Sequence, residues 1–196
     1  MTSSMRSHDA AHFDRLYTSC DDPWNFRASP YERGKYAETV AAFPPGRFIR
    51  ALEVGCSIGE LTRLLAPICD DVVGVDISEA PLITARAHSN DLAHVQFLRM
   101  AAPREWPDGW FDLIVLSEVL YFLSPEDIRS VAARVEASLL PAGVVILVNF
   151  LGATNGDPST GNVAAEIFSA AISRHLALDM QLRRDRFRID RLVRNL

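Results

Sequence analysis

Between residues 51 and 151, short apolar runs rich in β-branched residues alternate with segments of helical periodicity. This alternation predicts an α/β fold, a parallel sheet whose strands are connected by helices. Ser124 and Pro125 supply an N-cap and a first helical residue for the longest helix. The predicted strands are 51–54, 72–78, 95–100, 111–118 and 144–151, and the helices among them are 60–68, 80–88 and 124–140.

The two ends of the chain depart from this alternation. The length of 196 residues suits one domain with a full core. Residues 7–18 and 31–43 have helical patterns, so residues 1–44 are expected to form a helical cap on a core of residues 45–196. A turn-rich segment, 152–162, is followed by a helix, 163–176, and by two strand-like runs, 177–184 and 186–194, which predict an antiparallel hairpin.

Composition excludes several classes of protein. With 48% hydrophobic and 23% charged residues, the chain is not disordered. Its net charge of −5 argues against a nucleic-acid or anionic-membrane partner. Cys20, Cys56 and Cys69 form no CxxC pair, which argues against zinc and disulfide scaffolds. His8 and His12 have the spacing of helical metal ligands but no evident third ligand, so no metal is expected. The expected location is the cytoplasm, since no signal peptide or membrane span is evident.

A glycine-containing loop, Glu-Val-Gly-Cys-Ser-Ile-Gly at residues 53–59, connects the first predicted strand to the next helix. Small residues let the backbone approach a ligand closely, and the helix N-terminus offers free N–H groups to an anion. Asp76 follows Gly55 by 21 residues, at the end of the second strand. Its carboxylate can accept both hydroxyls of a ribose, which predicts an adenosine-containing ligand.

Dinucleotides and S-adenosylmethionine both bind to loops of this kind. Dinucleotide loops usually read GxGxxG, whereas Ser57 takes the middle position here. Glu53 can hold the ammonium of a bound amino acid, directly or through water, and a nicotinamide dinucleotide has no such group. These residues favour S-adenosylmethionine over a nicotinamide oxidoreductase, and a tight turn without a ligand is the remaining interpretation.

The loop and Asp76 resemble motif I and the following acidic position of the class I S-adenosylmethionine-dependent methyltransferases. The resemblance covers about residues 45–151 and the terminal hairpin. It implies a Rossmann-like three-layer sandwich with a seven-stranded, mostly parallel sheet and an antiparallel C-terminal strand. It also implies S-adenosylmethionine as methyl donor and S-adenosylhomocysteine as product.

The same resemblance implies a set of donor-binding residues. The family usually has an acid after the third strand for the adenine amino group, and Ala101 stands about there. Adenine recognition is therefore expected to use backbone groups and apolar contacts. The implied residues are Glu53, Gly55, Ser57 and Gly59 for the methionine part, with Cys56 in the same cofactor-binding loop, Asp76 for the ribose, Ile77, Met100, Ala101 and Ala102 for the adenine, and Ser117, Glu118 and Val119 for the methionyl ammonium.

A narrower resemblance is carried by Asp21-Asp22-Pro23-Trp24, Pro30-Tyr31-Glu32-Arg33 and Glu118-Val119-Leu120-Tyr121-Phe122-Leu123. These segments are similar to the nodulation protein S (NodS) family, whereas the C-terminal third shows little similarity. The resemblance implies N-methylation of the free amine on a terminal, deacetylated glucosamine of a chitooligosaccharide. The expected partner is therefore an oligosaccharide or another small molecule.

Methyl transfer to an amine requires alignment, exclusion of water and a group that orients the amine or takes its proton. Glu118 and Tyr121 are the candidates, since both follow the fourth strand where it opens onto the ligand side of the sheet. Glu118 could instead cap the next turn, and Tyr121 could belong to the core. Transfer to a hydroxyl or another small nucleophile, and a catalytically silent binder of S-adenosylmethionine, stay open as alternatives.

The cap supplies the remaining candidates. Tyr17, Trp24 and Tyr31 are expected to form a lid over the donor or to stack on a sugar face. An equally good interpretation is that they anchor the cap to the sheet. Arg33 could pair with the methionine carboxylate, or it could be a solvated helix residue.

Overall fold

The computed structural model describes residues 6–152 and 156–194. The strands of its central sheet are β1 (Phe48–Val54), β2 (Cys69–Asp76), β3 (Val95–Arg99), β4 (Phe111–Ser117), β5 (Leu139–Phe150), β6 (Leu176–Arg183) and β7 (Phe187–Arg194). The helices are α1 (Ala10–Ser19), α2 (Pro30–Ala41), α3 (Glu60–Leu65), α4 (Glu79–His88), α5 (Pro125–Ser138) and α6 (Gly161–Ile172), with 3₁₀ turns at Ala66–Ile68 and Leu120–Phe122.

The seven strands are ordered β3-β2-β1-β4-β5-β7-β6. Strands β1 to β5 pair in parallel, whereas β7 pairs antiparallel with both β5 and β6. The predicted mostly parallel sheet with an antiparallel C-terminal hairpin is therefore confirmed. Strand order reverses between β1 and β4, and ligands of open α/β sheets bind at such a switch point, beyond the carboxyl ends of the strands.

Two apolar layers cover the sheet. One face packs against α5 and α6, where Ile128, Val131 and Phe168 are buried against β-strand residues such as Ile114. The other face packs against α2 and α3 through a second buried cluster that includes Leu61. Sheet residues on both faces are fully buried, as expected for parallel strands covered on both sides.

The elements begin and end where local hydrogen bonds dictate. Ser124 Oγ accepts a hydrogen bond from the Asp127 N–H at 3.1 Å, so the predicted N-cap of α5 is confirmed. The same helix ends at Ser138 rather than at the predicted residue 140, since Leu139 already pairs with Phe111 in the sheet. Strand β1 begins three residues before its predicted start because the Asp112 carboxylate accepts from the backbone N–H groups of Ile49 and Arg50.

The N-terminal segment packs over the carboxyl edge of the sheet. The Ser78 hydroxyl donates to the Asp14 carboxylate of α1 at 2.6 Å, which fixes this helix to the loop after β2. Division of the chain into a cap, residues 1–44, and a core within one domain stays a prediction. Among residues 6–152 and 156–194, no helix is long and apolar enough to cross a membrane.

Candidate functional site

A cavity of about 1320 Å³ lies at the carboxyl ends of β1, β2 and β4, beneath α1 and α2. Ligand pockets usually measure about 300–1,000 Å³, so this one has room for a nucleoside-sized ligand and a second molecule. The loop after β1 lies on one side of it, and the turn after β4 lies on another. The cap closes it from above with aromatic side chains.

The loop between β1 and α3 contains three residues with left-handed backbone conformations: Gly55 at φ +79°, Ser57 at +49° and Gly59 at +82°. The N–H groups of Gly55 and Cys56 donate to the Val75 carbonyl oxygen at 2.8 and 3.0 Å, which ties the loop to β2. A Cβ atom on Gly55 would lie 3.0 Å from the Cβ of Val119. A glycine at position 55 therefore lets β1 and the turn after β4 approach each other beside the cavity.

Asp76 ends β2 with its carboxylate facing the cavity. Its Oδ2 accepts from the Ser57 N–H and its Oδ1 from the Ser78 N–H, both at 2.9 Å. Each oxygen keeps a lone pair for one further donor, which is what two adjacent ribose hydroxyls require. Burial raises the pKa of Asp76 to about 6, although these N–H donors oppose the rise. The carboxylate is mostly ionised at neutral pH.

Glu53 is a buried carboxyl group on β1 that borders the cavity. The Thr62 hydroxyl of α3 donates to its Oε2 at 2.5 Å. Burial raises the pKa of Glu53 to about 8, so the group holds a proton at neutral pH until a cation lies beside it. A bound ammonium would supply that cation.

The predicted adenine-binding residues, Ile77, Met100, Ala101 and Ala102, all line the cavity. No acidic side chain stands at position 101 itself, but the Glu105 carboxylate accepts from the Ala101 N–H at 2.7 Å. Contacts of these residues with an adenine stay predictions.

Two predicted residues, Arg33 and Gly59, do not line the cavity. Arg33 lies on the exposed side of α2 and donates to the Ala28 carbonyl at 2.9 Å, because the helix turns Glu32 and Lys35 inward instead. Gly59 does not line the cavity; a Cβ there would meet Ala85 and Phe97 at 3.0 Å, so the glycine serves packing.

Cys56 lines the cavity, as predicted, but the residue is almost fully buried. Its sulfur packs against Gly74, and burial raises the pKa of the thiol well above its usual value. Because the thiolate is the reactive form, the thiol is expected to be unreactive.

Glu118 is the centre of a buried ionic cluster at the exit of β4. Its backbone is left-handed, at φ +55°. Lys35 donates to Glu118 Oε1 at 2.7 Å, and the Tyr121 hydroxyl and the Phe150 N–H donate to Oε2 at 2.8 and 2.9 Å. Lys35 also pairs with Glu32 at 2.9 Å. Burial lowers the pKa of Lys35, but the two carboxylates outweigh it and leave the pKa raised, so the lysine stays charged.

Tyr17, Trp24 and Tyr31 all line the cavity from the cap. The Tyr17 hydroxyl and the Ser57 hydroxyl share a hydrogen bond, which joins α1 to the glycine loop. The Trp24 ring packs edge-on against Tyr17 at 5.5 Å. The Arg186 guanidinium covers one face of the Tyr31 ring at 3.9 Å, so at most the other face is available for stacking.

Sequence reasoning missed several cavity residues. Lys35 and Glu32 follow the Ser29–Pro30 helix start at positions that share a helix face, so the helical spacing was a usable signal. His8, noted only for its spacing from His12, reaches the cavity and contacts Asp157. No local pattern indicates Asp157, because the two residues lie 149 positions apart. Phe26 and Tyr36 also line the cavity.

A family model and three curated relatives identify the family of this chain. The family model described as Nodulation protein S (NodS) matches residues 9–149. Nodulation protein S of Rhizobium tropici is 29% identical over 144 residues, 72% of this chain and 60% of that protein. The protein of Bradyrhizobium diazoefficiens is 35% identical over 104 residues, 53% of this chain and 50% of that protein. The chain thus spans 50–60% of the length of these curated relatives.

Solved structures agree on the fold. The N-methyltransferase NodS from Bradyrhizobium japonicum WM9, in complex with S-adenosyl-L-homocysteine, aligns with a TM-score of 0.80 and 20% identity over 94% of this chain and 97% of that chain. A putative methyltransferase from Pseudomonas syringae aligns with a TM-score of 0.73 and 31% identity over 84% and 99% of the two chains. The match of the family model over residues 9–149 confirms the resemblance seen in the sequence: the chain belongs to the NodS family.

Proposed function

We propose that this protein transfers a methyl group from S-adenosylmethionine to the amine of a small acceptor. The observation that carries the proposal is one cavity that runs from Asp76 and the glycine loop to Glu118 and Tyr121. Candidate donor-binding groups and candidate acceptor-orienting groups therefore line the same cavity, as an in-line displacement requires.

The donor end has residues for each part of S-adenosylmethionine. Asp76 would accept the ribose hydroxyls, Glu53 would face the methionyl ammonium, and Ile77 and Met100 would cover the adenine. The close approach at Gly55 supports the fit, since a side chain there would collide with Val119. When bound, the donor supplies a sulfonium methyl group.

The acceptor end is suited to a nitrogen nucleophile. The Tyr121 hydroxyl donates a hydrogen bond to Glu118, so the lone pairs of its oxygen are available to accept a hydrogen bond from an acceptor N–H. Burial raises the pKa of Tyr121 well above its usual value, which keeps this arrangement intact at neutral pH. Tyr121 would thus orient the amine, and Glu118 would act through Tyr121 rather than on the acceptor itself.

Membership of the NodS family supports a proposal for the substrate class. The relatives are named nodulation protein S, and one solved member is named an N-methyltransferase. We infer the acceptor to be the free amine of a terminal, deacetylated glucosamine in a chitooligosaccharide. A sugar amine is less basic than the ~10.4 of a lysine, so part of it is already unprotonated near neutral pH.

The test is transfer of labelled methyl from S-adenosylmethionine to a chitooligosaccharide with a deacetylated terminal unit, beside its fully acetylated twin. Label on the first alone supports the proposal. Label on both indicates a hydroxyl acceptor. Label on neither, with S-adenosylhomocysteine binding established in the same sample, retains the donor site and rejects this acceptor. Absence of such binding overturns the donor as well.

A further inference from the structure

His8 and Asp157 form a second polar group in the acceptor half of the cavity. His8 Nε2 lies 2.9 Å from Asp157 Oδ1, and both side chains are about four-fifths buried. Both residues line the cavity. The other ring nitrogen, Nδ1, has no hydrogen-bond partner among the described residues.

The pair is held on either side of Tyr121. The His8 N–H donates to the Phe122 carbonyl at 3.0 Å, which fixes the histidine to the 3₁₀ turn after β4. The Ser159 N–H donates to the Tyr121 carbonyl at 3.3 Å, which fixes the loop that contains Asp157 to the same turn. The His8 ring also packs 6.0 Å from the Phe122 ring. An imidazole–carboxylate pair therefore lies beside the turn that carries Tyr121, and, besides burial, the Asp157 charge contributes to the raised pKa of that tyrosine.

The Glu118 carboxylate is poorly suited to take a proton. Three donors, from Lys35, Tyr121 and Phe150, already occupy its two oxygens. A neutral imidazole with one nitrogen bonded to a carboxylate and the other open has the arrangement of a general base.

We propose that His8, held by Asp157, accepts the proton that the acceptor ammonium must lose before methyl transfer. This inference rests on the proposed function and assigns its proton acceptor. The R–NH₃⁺ group gives one proton to His8 Nδ1 and keeps the electron pair of that N–H bond. That pair forms the new N–C bond while the S–C electrons stay on sulfur. The product leaves as R–NH₂⁺–CH₃, and His8 returns its proton to water.

Other charged and titratable groups surround the pair. Asp9 and Arg15 lie on its own N-terminal segment, together with His12, whose ring stacks on His8 at 3.9 Å. Asp127, at the start of α5, accepts a hydrogen bond from the neighbouring Ser7 hydroxyl. Of the titratable groups on neighbouring elements that line the same cavity, Tyr121 lies in the turn after β4, Glu126 and Asp127 lie at the start of α5, and Arg6 lies on the N-terminal segment.

The test compares His8→Gln with the matched control His175→Gln, which alters a half-exposed histidine that pairs with Glu136 and does not line the cavity. The measured quantity is kcat/KM for the deacetylated oligomer as a function of pH. At about pH 6.5, where the acceptor is mostly ammonium, His8→Gln should lower kcat/KM by ~100-fold. Above the pKa of the acceptor amine the deficit should shrink to about threefold or less, because the amine then arrives without its proton. His175→Gln should stay within about threefold of the parent at both pH values.

A second readout separates a chemical defect from a folding defect. S-adenosylhomocysteine affinity by calorimetry should be unchanged in His8→Gln. If that variant loses affinity, Asp157→Asn is measured instead. We expect its kcat/KM to fall ~10-fold at low pH, and the acidic side of its pH profile to move to lower pH. The proposal is overturned if turnover is unaffected at about pH 6.5, or if the deficit is equal at both pH values. Absence of turnover in the parent protein counts against the proposed function instead.

Discussion

Lys35 Nζ lies 2.7 Å from Glu118 Oε1, so a buried lysine of α2 is bonded to the residue at which β4 enters the candidate active site. Only 3% of the lysine side chain is exposed. The contact connects the N-terminal segment to the carboxyl edge of the sheet. It also fixes the carboxylate to which the Tyr121 hydroxyl donates.

Replacement of this lysine should destabilise the protein strongly. Lys35→Met leaves Glu32 and Glu118 buried without their shared cation, and we expect a loss of about 3–5 kcal/mol in the free energy of unfolding. The deficit should be smaller at lower pH, because the unpaired carboxylates then bind protons in the folded state. Urea unfolding at several pH values measures both effects.

The matched control is Arg184→Met, which breaks a half-exposed pair with Glu38. Such pairs contribute about 0–1 kcal/mol, so its unfolding midpoint should change little. An equal loss in the two variants would contradict the role assigned to Lys35.

Asp76→Asn should weaken S-adenosylhomocysteine binding by ~10- to 100-fold, since an amide has one acceptor oxygen where the carboxylate has two. The parent protein should lose affinity as pH falls through about 6, the pKa of the buried carboxyl, because protonation removes an acceptor. This weakening should be absent from the variant. Calorimetry across this pH range is the measurement. Asp70→Asn, at the other end of β2 on an exposed pair, should bind like the parent.

Donor binding should release a proton. Glu53, with its pKa raised to about 8 by burial, is protonated at neutral pH, and an adjacent ammonium stabilises the carboxylate instead. The apparent binding enthalpy near pH 7 should therefore depend on the ionisation enthalpy of the buffer. Glu53→Gln should lose most of this dependence, and an unchanged dependence would show that the proton comes from elsewhere.

Two glycine replacements should act in opposite directions. Gly55→Ala meets Val119 at 3.0 Å and requires a residue at φ +79°, so we expect lower stability and weaker donor binding. Gly34→Ala in α2 meets nothing within 4 Å, and should stabilise the helix by about 0.5–1 kcal/mol. Thermal unfolding and S-adenosylhomocysteine titration of both variants distinguish a local collision from a general intolerance of alanine.

Much of the fold followed from local pattern. The runs around Val73, Ile114 and Ile146 indicated buried parallel strands, and all three became central strands of the sheet. Strand limits were less predictable. β1 extends to Phe48 because a side chain from β4, Asp112, bonds its backbone, and no local pattern in residues 48–50 encodes that contact.

By itself, the sequence determined which loop and strand end border the proposed donor end of the cavity. Gly55 and Asp76 stand at the ends of adjacent strands, and a parallel sheet brings such ends together whatever the rest of the chain does. Only the tertiary structure decided which residues meet at the proposed acceptor end of the cavity. Lys35 meets Glu118 across 83 residues and His8 meets Asp157 across 149, through contacts that no local periodicity encodes. Those pairings depend on how the N-terminal segment packs over the sheet, which is a property of the complete core.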